Sequence, residues 1–101
     1  MRIKAADSGD VQPMHTVSIE GRDILITRTA EGLFAMEDLC PHAEQPLSTG
    51  KLEGNLLTCK HHGVQIDVRT GRVVKSMGFL GLQPLKIFKV EETEGSIWID
   101  L

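Results

Sequence analysis

Cys40-Pro41-His42 and, sixteen residues on, Cys59-Lys60-His61-His62-Gly63 are the two stretches on which this sequence turns. Each cysteine is followed closely by histidine, and both stretches lie beside turn-forming residues. A Cys-x-His or Cys-x-x-His spacing lets two side chains of one loop reach a common centre, and two such loops on neighbouring hairpins close a four-ligand site. Histidine supplies 4 of 101 residues. Chance placement at both spacings then has odds of roughly one in six hundred, so the pairing is a signal. In the second stretch Cys59-Lys60-His61 repeats the first spacing, while Gly63 suits a tight turn directly after His62. The spacing leaves both histidines open.

Outward from these loops the chain reads as strands. Val17 and Ile19 alternate with polar neighbours, Glu20 to Asp23 make a turn, and Ile24 to Thr27 return as a hairpin. Gly32 turns the chain into Leu33 to Met36. Near the other end Leu85 to Val90 reads as a strand, with a bulge expected at Ile87-Phe88. Glu94-Gly95 turns into a last strand in which Ile97, Ile99 and Leu101 face one way and Trp98 the other, as a packing residue. Between these flanks, from Asp38 to about Gln83, the expected strands are short: 56–58, 64–68 and 73–74. Glycines punctuate the segment, and a single helical turn is expected around residues 44–48. The expectation is one all-β domain over 1–101, with a loop-rich metal-binding subdomain at about 38–83 inserted in a base.

Bulk composition excludes several classes. Eleven basic against 14 acidic side chains give a net charge of −3 and no basic stripe for nucleic acid. No stretch approaches the roughly 20 apolar residues that span a bilayer. Met1 to Lys4 and polar Asp7 to Asp10 lack the apolar run of a signal peptide, so a cytoplasmic address is expected. There two cysteines read as metal ligands rather than a disulfide. Two thiolates and two imidazoles suit a structural zinc or a binuclear iron–sulfur centre. Zinc sites group like ligands in Cys-x-x-Cys and His-x₃₋₅-His pairs, whereas here each loop offers one of each kind. Glu37, Asp38, Glu44 and Glu53 near the loops are candidates to steer a basic partner. His15 reads as an ordinary surface histidine.

The pattern resembles the Rieske signature, and other segments are similar to small bacterial Rieske ferredoxins. Glu37 to His42 resembles the approach to the first cluster loop, and Leu47-Ser48 to Gly54 the link between loops. His62 to Asp67 with Thr70-Gly71 resembles the run after the second loop, with Ile66 in the usual Phe position. Pro84-Leu85 to Val90 and Ser96 to Ile99 resemble the return to the base sheet. The resemblance implies a Rieske fold of antiparallel sheets with one [2Fe–2S] cluster, its iron ligands Cys40, His42, Cys59 and His62, and it selects His62 over His61. Departures are Lys60-His61 where relatives often carry an aromatic pair, and a third loop, Lys75 to Phe79, without the usual proline.

The same resemblance implies a role. Two thiolates and two neutral imidazoles cancel the charge of an oxidised core, where four thiolates would leave it negative. Reduction is therefore easier, in the Rieske range of roughly −150 to +300 mV. High-potential Rieske proteins add a disulfide, a serine and a tyrosine about the cluster. This chain has Gln45 and His61 at the cysteine positions, Val64 for the serine and no tyrosine, which puts it at the low-potential end. The implied protein is a monomeric carrier, not an enzyme. It passes single electrons from a flavin-dependent ferredoxin reductase to a terminal oxygenase such as an aromatic-ring hydroxylating dioxygenase. Two alternatives are a Rieske-like small subunit of a larger reductase, such as assimilatory nitrite reductase, and a zinc-stabilised interaction module.

Overall fold

The computed structural model describes residues 1–40, 46–60 and 63–101. Ten strands lie among them: β1 (Arg2–Asp7), β2 (Met14–Ile19), β3 (Arg22–Thr29), β4 (Gly32–Glu37), β5 (Lys51–Glu53), β6 (Leu56–Thr58), β7 (Gln65–Asp67), β8 (Val73–Lys75), β9 (Ile87–Thr93) and β10 (Ser96–Asp100). They form two antiparallel sheets, a six-stranded base in the order β1-β10-β9-β4-β3-β2 and a four-stranded sheet β5-β6-β7-β8. Because β4 and β9 pair directly, through Ala35 with Phe88 and Met36 with Ile87, the smaller sheet is an insertion between two neighbours of the base.

The base hairpins follow from their turns. Glu20-Gly21 and Glu94-Gly95 join paired strands with both residues at positive φ, as a two-residue turn matching strand twist requires. The first turn is thus shorter than the expected Glu20 to Asp23, and Arg22 and Asp23 already belong to β3. In β3, Ile24, Leu25 and Ile26 are all fully buried because the strand has a core on each side. Ile24 and Ile26 join Val11, Ala35, Phe88, Ile97 and Ile99 in the base core. Leu25, with Met36 from β4, faces Leu47, Leu57, Ile66, Val68 and Leu85 of the insertion. The two sheets therefore share a wall, and the insertion rests on the back of β3 and β4.

Several expectations are corrected. β9 begins at Ile87 rather than Leu85, and its pairing with β4 is regular at Ile87-Phe88. The broken alternation there arises because Ile87 is simply exposed. Register shifts lie instead at Lys4/Ala6 in β1 and Gln65/Ile66 in β7. β1 and β5 are strands that the sequence pattern did not reveal. A short 3₁₀ turn at Leu47–Thr49 stands beside the helical turn expected near 44–48, of which 44 and 45 lie outside the described residues. Trp98 is half-buried with the Arg2 guanidinium 4.8 Å above its ring, a packing role as expected. His15 is half-buried on β2 opposite Ile26.

Candidate metal centre

The second cysteine loop is a hairpin tip. Alternation along β6 points Leu57 inward, Thr58 outward and Cys59 inward again, and Cys59 is 2% exposed. The Cys59 amide donates to the Val64 carbonyl at 2.8 Å, and the Gly63 amide donates to the Cys59 carbonyl at 3.1 Å. These bonds draw Gly63 and Val64 back against Cys59. Gly63 lies at φ +74, in the left-handed region that favours glycine. Gly50 sets the approach from the other side. A Cβ there would lie 2.2 Å from the Thr58 carbonyl oxygen, so only glycine lets the link between the loops run against the end of β6, directly before Cys59.

The first loop leaves β4 and is tied at its root by Asp38. This carboxylate is 6% exposed. One oxygen accepts the Ser48 amide at 2.8 Å, and the other accepts the hydroxyls of Ser48 at 3.0 Å and Thr16 at 3.2 Å. The Asp38 amide in turn donates to the Asp23 carbonyl at 2.9 Å. The outgoing arm at Asp38 and the returning arm at Ser48 thereby meet at one buried anion. Leu47, on the returning arm, is fully buried beside the thiols.

Cys40 and Cys59 come together in a single buried group with Leu47, Val64 and Leu85, and they form no disulfide. Each also lines a surface depression, Cys59 with Gly50, Lys60 and Gly63, and Cys40 with Leu39, Pro84 and Leu85. Each thiol thus lies buried beside a surface depression. His42, His61 and His62 lie outside the described residues. Among the described residues no group of three metal-binding side chains forms, the two thiols being the part of the expected set that falls within them. The donor set fits an iron–sulfur group: two unbridged thiols from two hydrogen-bonded loops, walled by apolar side chains that exclude water from sulfur.

Among the described residues, Asp38 and Glu37 are engaged at the root of the first loop rather than standing free at its rim. Asp38 is consumed by Ser48 and Thr16, and Glu37 accepts the Lys86 amide at 3.1 Å. Glu53 lies at the end of β5 away from the cysteine loop, and Glu44 lies outside the described residues. The charge network instead fastens the insertion to the base. Arg69 bridges Asp67 at 2.9 Å and Glu31, in the β3–β4 turn, at 3.2 Å, and Asn55 also donates to Glu31. Hydrogen bonding to Arg69 holds the Asp67 carboxyl below its ordinary value, and Asp67 in turn raises the guanidinium. In the base, Arg28 lowers the Glu92 carboxyl through a bond of 2.8 Å. Sequence reasoning missed both Arg69 and the clamp role of Asp38, since nothing local marks either.

Paired loops presenting thiols at the tip of a small antiparallel sheet, itself inserted in a β base, define a small iron–sulfur electron-transfer protein. The comparisons with known proteins agree. Residues 1–89 match the Rieske [2Fe-2S] domain family. The ferredoxin component of biphenyl 2,3-dioxygenase from Rhodococcus jostii (strain RHA1) is 32% identical over 100 residues, covering 97% of this chain and 91% of that protein. Ferredoxin CarAc of Metapseudomonas resinovorans is 29% identical over 100 residues, covering 96% and 91%. A solved chain from the complex of reduced oxygenase and oxidized ferredoxin in carbazole 1,9a-dioxygenase superposes with a TM-score of 0.85 at 31% identity, covering 97% of this chain and 91% of that one. This chain belongs to the Rieske [2Fe–2S] family. It is a Rieske electron carrier, and its cofactor is a Rieske-type [2Fe–2S] cluster.

Proposed function

We propose that this protein is the ferredoxin of a multicomponent oxygenase system, a monomeric, single-domain cytoplasmic carrier between a flavin-dependent ferredoxin reductase and a terminal oxygenase. Its cluster ligands are Cys40, His42, Cys59 and His62. The observation that carries this reading is near whole-length similarity to ferredoxin components, 97% of this chain against 91% of the biphenyl dioxygenase ferredoxin. The cluster, when bound, takes up and gives back one electron. The protein's own work is to hold and shield it. Asp38 and Ser48 close the first loop, and the Cys59 to Val64 pairing closes the second. Leu47, Val64 and Leu85 keep water from the thiols. Val64, fully buried, offers sulfur no hydroxyl donor, which favours a low potential.

The carrier itself catalyses nothing in this reading. A mononuclear oxygenase iron requires two histidines and a carboxylate. With His42 and His62 committed, only His15 and His61 remain, and His15 sits in the base sheet opposite Ile26. No helix among the described residues is long and apolar enough to cross a membrane. The test is anaerobic purification with visible and paramagnetic resonance spectra. Single replacement of Cys40, His42, Cys59 or His62 is expected to abolish the colour and the signal of the reduced protein, while His61→Ala keeps both. The reduced holoprotein is expected to support turnover by a terminal oxygenase. A colourless zinc-containing protein, or a coloured one that reduces no oxygenase, refutes the reading.

A further inference from the structure

The register of the inserted sheet gathers lysines at one end. Lys51 pairs with Thr58, Thr58 with Gln65 and Gln65 with Lys75, so these four residues form one row across all four strands. Cys59 follows Thr58 directly, and the second ligand loop leaves from this row. The next row, Leu52, Leu57, Ile66 and Val73, turns inward to the core, so the Lys51 row faces outward. At the opposite end of the same outward face Glu53 and Asp67 stand with Arg69 and Arg72, so that charge there is balanced, whereas the cysteine end holds lysines. Lys60, inside the ligand loop, adds a third exposed lysine at the cysteine end. Lys60 and Lys75 make no ion pair with a described residue, and Lys51 reaches only Glu53 at 3.6 Å.

Apolar surface collects at the same place. Directly after Lys75 the chain turns through Ser76 to Phe79 and presents Met77 at 50% and Leu80 at 94% exposure. Met77 lies over the second ligand loop, its Cε 3.6 Å from where a Cβ on Gly63 would sit. Residues 38–83 carry five basic and four acidic side chains, a net of +1, whereas the rest of the chain carries six and ten, a net of −4. The molecule is 43 Å long, several times the screening length of about 8 Å at physiological salt. An approaching partner therefore meets the local charge at this end, not the overall −3.

We propose that the cluster end docks its electron-transfer partner through a lysine rim, Lys51, Lys60 and Lys75 around exposed Met77 and Leu80. The partner it fits has a cofactor approach ringed by aspartate and glutamate. This inference rests on the carrier reading above. Its first test is independent of any partner. The reduced holoprotein is mixed in stopped flow with hexacyanoferrate(III), a trianion, or with hexaammineruthenium(III), a trication, each taking one electron from the protein. The ratio of the two rates cancels any change in driving force common to both.

For the native chain the trianion rate is expected to fall as salt rises, against the sign of the net charge. K51Q/K60Q/K75Q is expected to lower the trianion-to-trication ratio by about tenfold or more at low ionic strength. K51R/K60R/K75R is expected to keep the native ratio, and K89Q, on β9 of the base, to leave it unchanged. A trianion rate that rises with salt, or a triple Gln variant with the native ratio, overturns the rim. The second test is oxidation of the same proteins by a terminal oxygenase, where the Gln variant is expected to react more slowly and with a weaker salt dependence. Equal rates for the native and Gln proteins there also overturn the proposal. An oxygenase that takes no electrons from any of them, with the trianion effect intact, refutes the carrier reading and leaves the charged rim standing.

Discussion

Replacing Asp38 with alanine removes the carboxylate that closes the first ligand loop without removing any expected ligand. Three donors lose their acceptor: the Ser48 amide at 2.8 Å, the Ser48 hydroxyl at 3.0 Å and the Thr16 hydroxyl at 3.2 Å. A hydrogen bond to a charged group contributes about 1.5–3 kcal/mol, and an abandoned buried donor costs about as much. Thr16 is exposed and its hydroxyl can turn to water, so the Ser48 amide carries most of the loss. Relief of the desolvated carboxylate offsets part of it. The net is about 2 kcal/mol against closure of the loop. Asp38→Asn keeps one oxygen for the Ser48 amide and sets an NH₂ against two hydroxyls that can rotate to accept, so about 1 kcal/mol is expected. If metal release follows opening of this loop, these values correspond to roughly thirtyfold and fivefold faster release. The assay is bleaching of the visible band in excess chelator under anaerobic conditions. Ser48→Ala combined with Asp38→Ala should cost little more than Asp38→Ala alone, since the two share a partner. Alanine and asparagine variants that bleach at the native rate would refute the clamp.

Gly50→Ala should cost about 3 kcal/mol in urea unfolding, because its Cβ would meet the Thr58 carbonyl oxygen at 2.2 Å. Gly54→Ala, at φ +60 in open space, should cost only about 1 kcal/mol, and equal losses would contradict the close approach. Arg69→Gln should lower stability only slightly at neutral pH, since the guanidinium is well exposed. The Asp67 carboxyl is held below its ordinary value by Arg69, so this contribution is full above that value and is lost as pH falls through the lowered one. A difference between native and Arg69→Gln proteins that grows in acid, or ignores salt, would refute the pairing. Without its cluster the protein should keep β signal from the base strands but lose protease resistance between about residues 38 and 83, where short strands rely on two cysteine loops for order. Equal digestion patterns with and without the cluster would count against this.

The fold was legible where local chemistry and tertiary context agree. Glu20-Gly21 and Glu94-Gly95 are turns whatever surrounds them, and Ile97 and Ile99 alternate because one face of β10 is buried. β1 was hidden by its bulge, which shifts register between Lys4 and Ala6 and breaks the period of two. β5 was hidden by brevity, since Lys51, Leu52 and Glu53 hold a single apolar residue. At the metal centre both cysteines were legible as a spaced pair, and the structure gathers them in one buried group. Asp38 was legible only as one candidate docking charge, because an acid beside a ligand loop looks the same in sequence whether it meets solvent or Ser48, ten residues ahead.

The lysine rim shows the same limit from the other side. Lys51, Lys60 and Lys75 lie far apart in the chain and form no run that a charge scan would mark. Two pairing registers bring Lys51 and Lys75 to the ends of one row, and the loop between β6 and β7 adds Lys60 beside it. The separating acids, Glu53 and Asp67, are each two residues from a member of that row, a distance that in a strand keeps the face and changes the end. A carrier that must release its partner after one electron gains more from encounter rate than from tight binding. Complementary rim charges raise the association rate and are screened by salt, while a modest apolar centre such as Met77 and Leu80 adds contact without locking the complex. Gathering lysines at the cysteine end of the sheet, with the net of the whole chain left negative, therefore aims the cysteine loops rather than the molecule at an acidic partner.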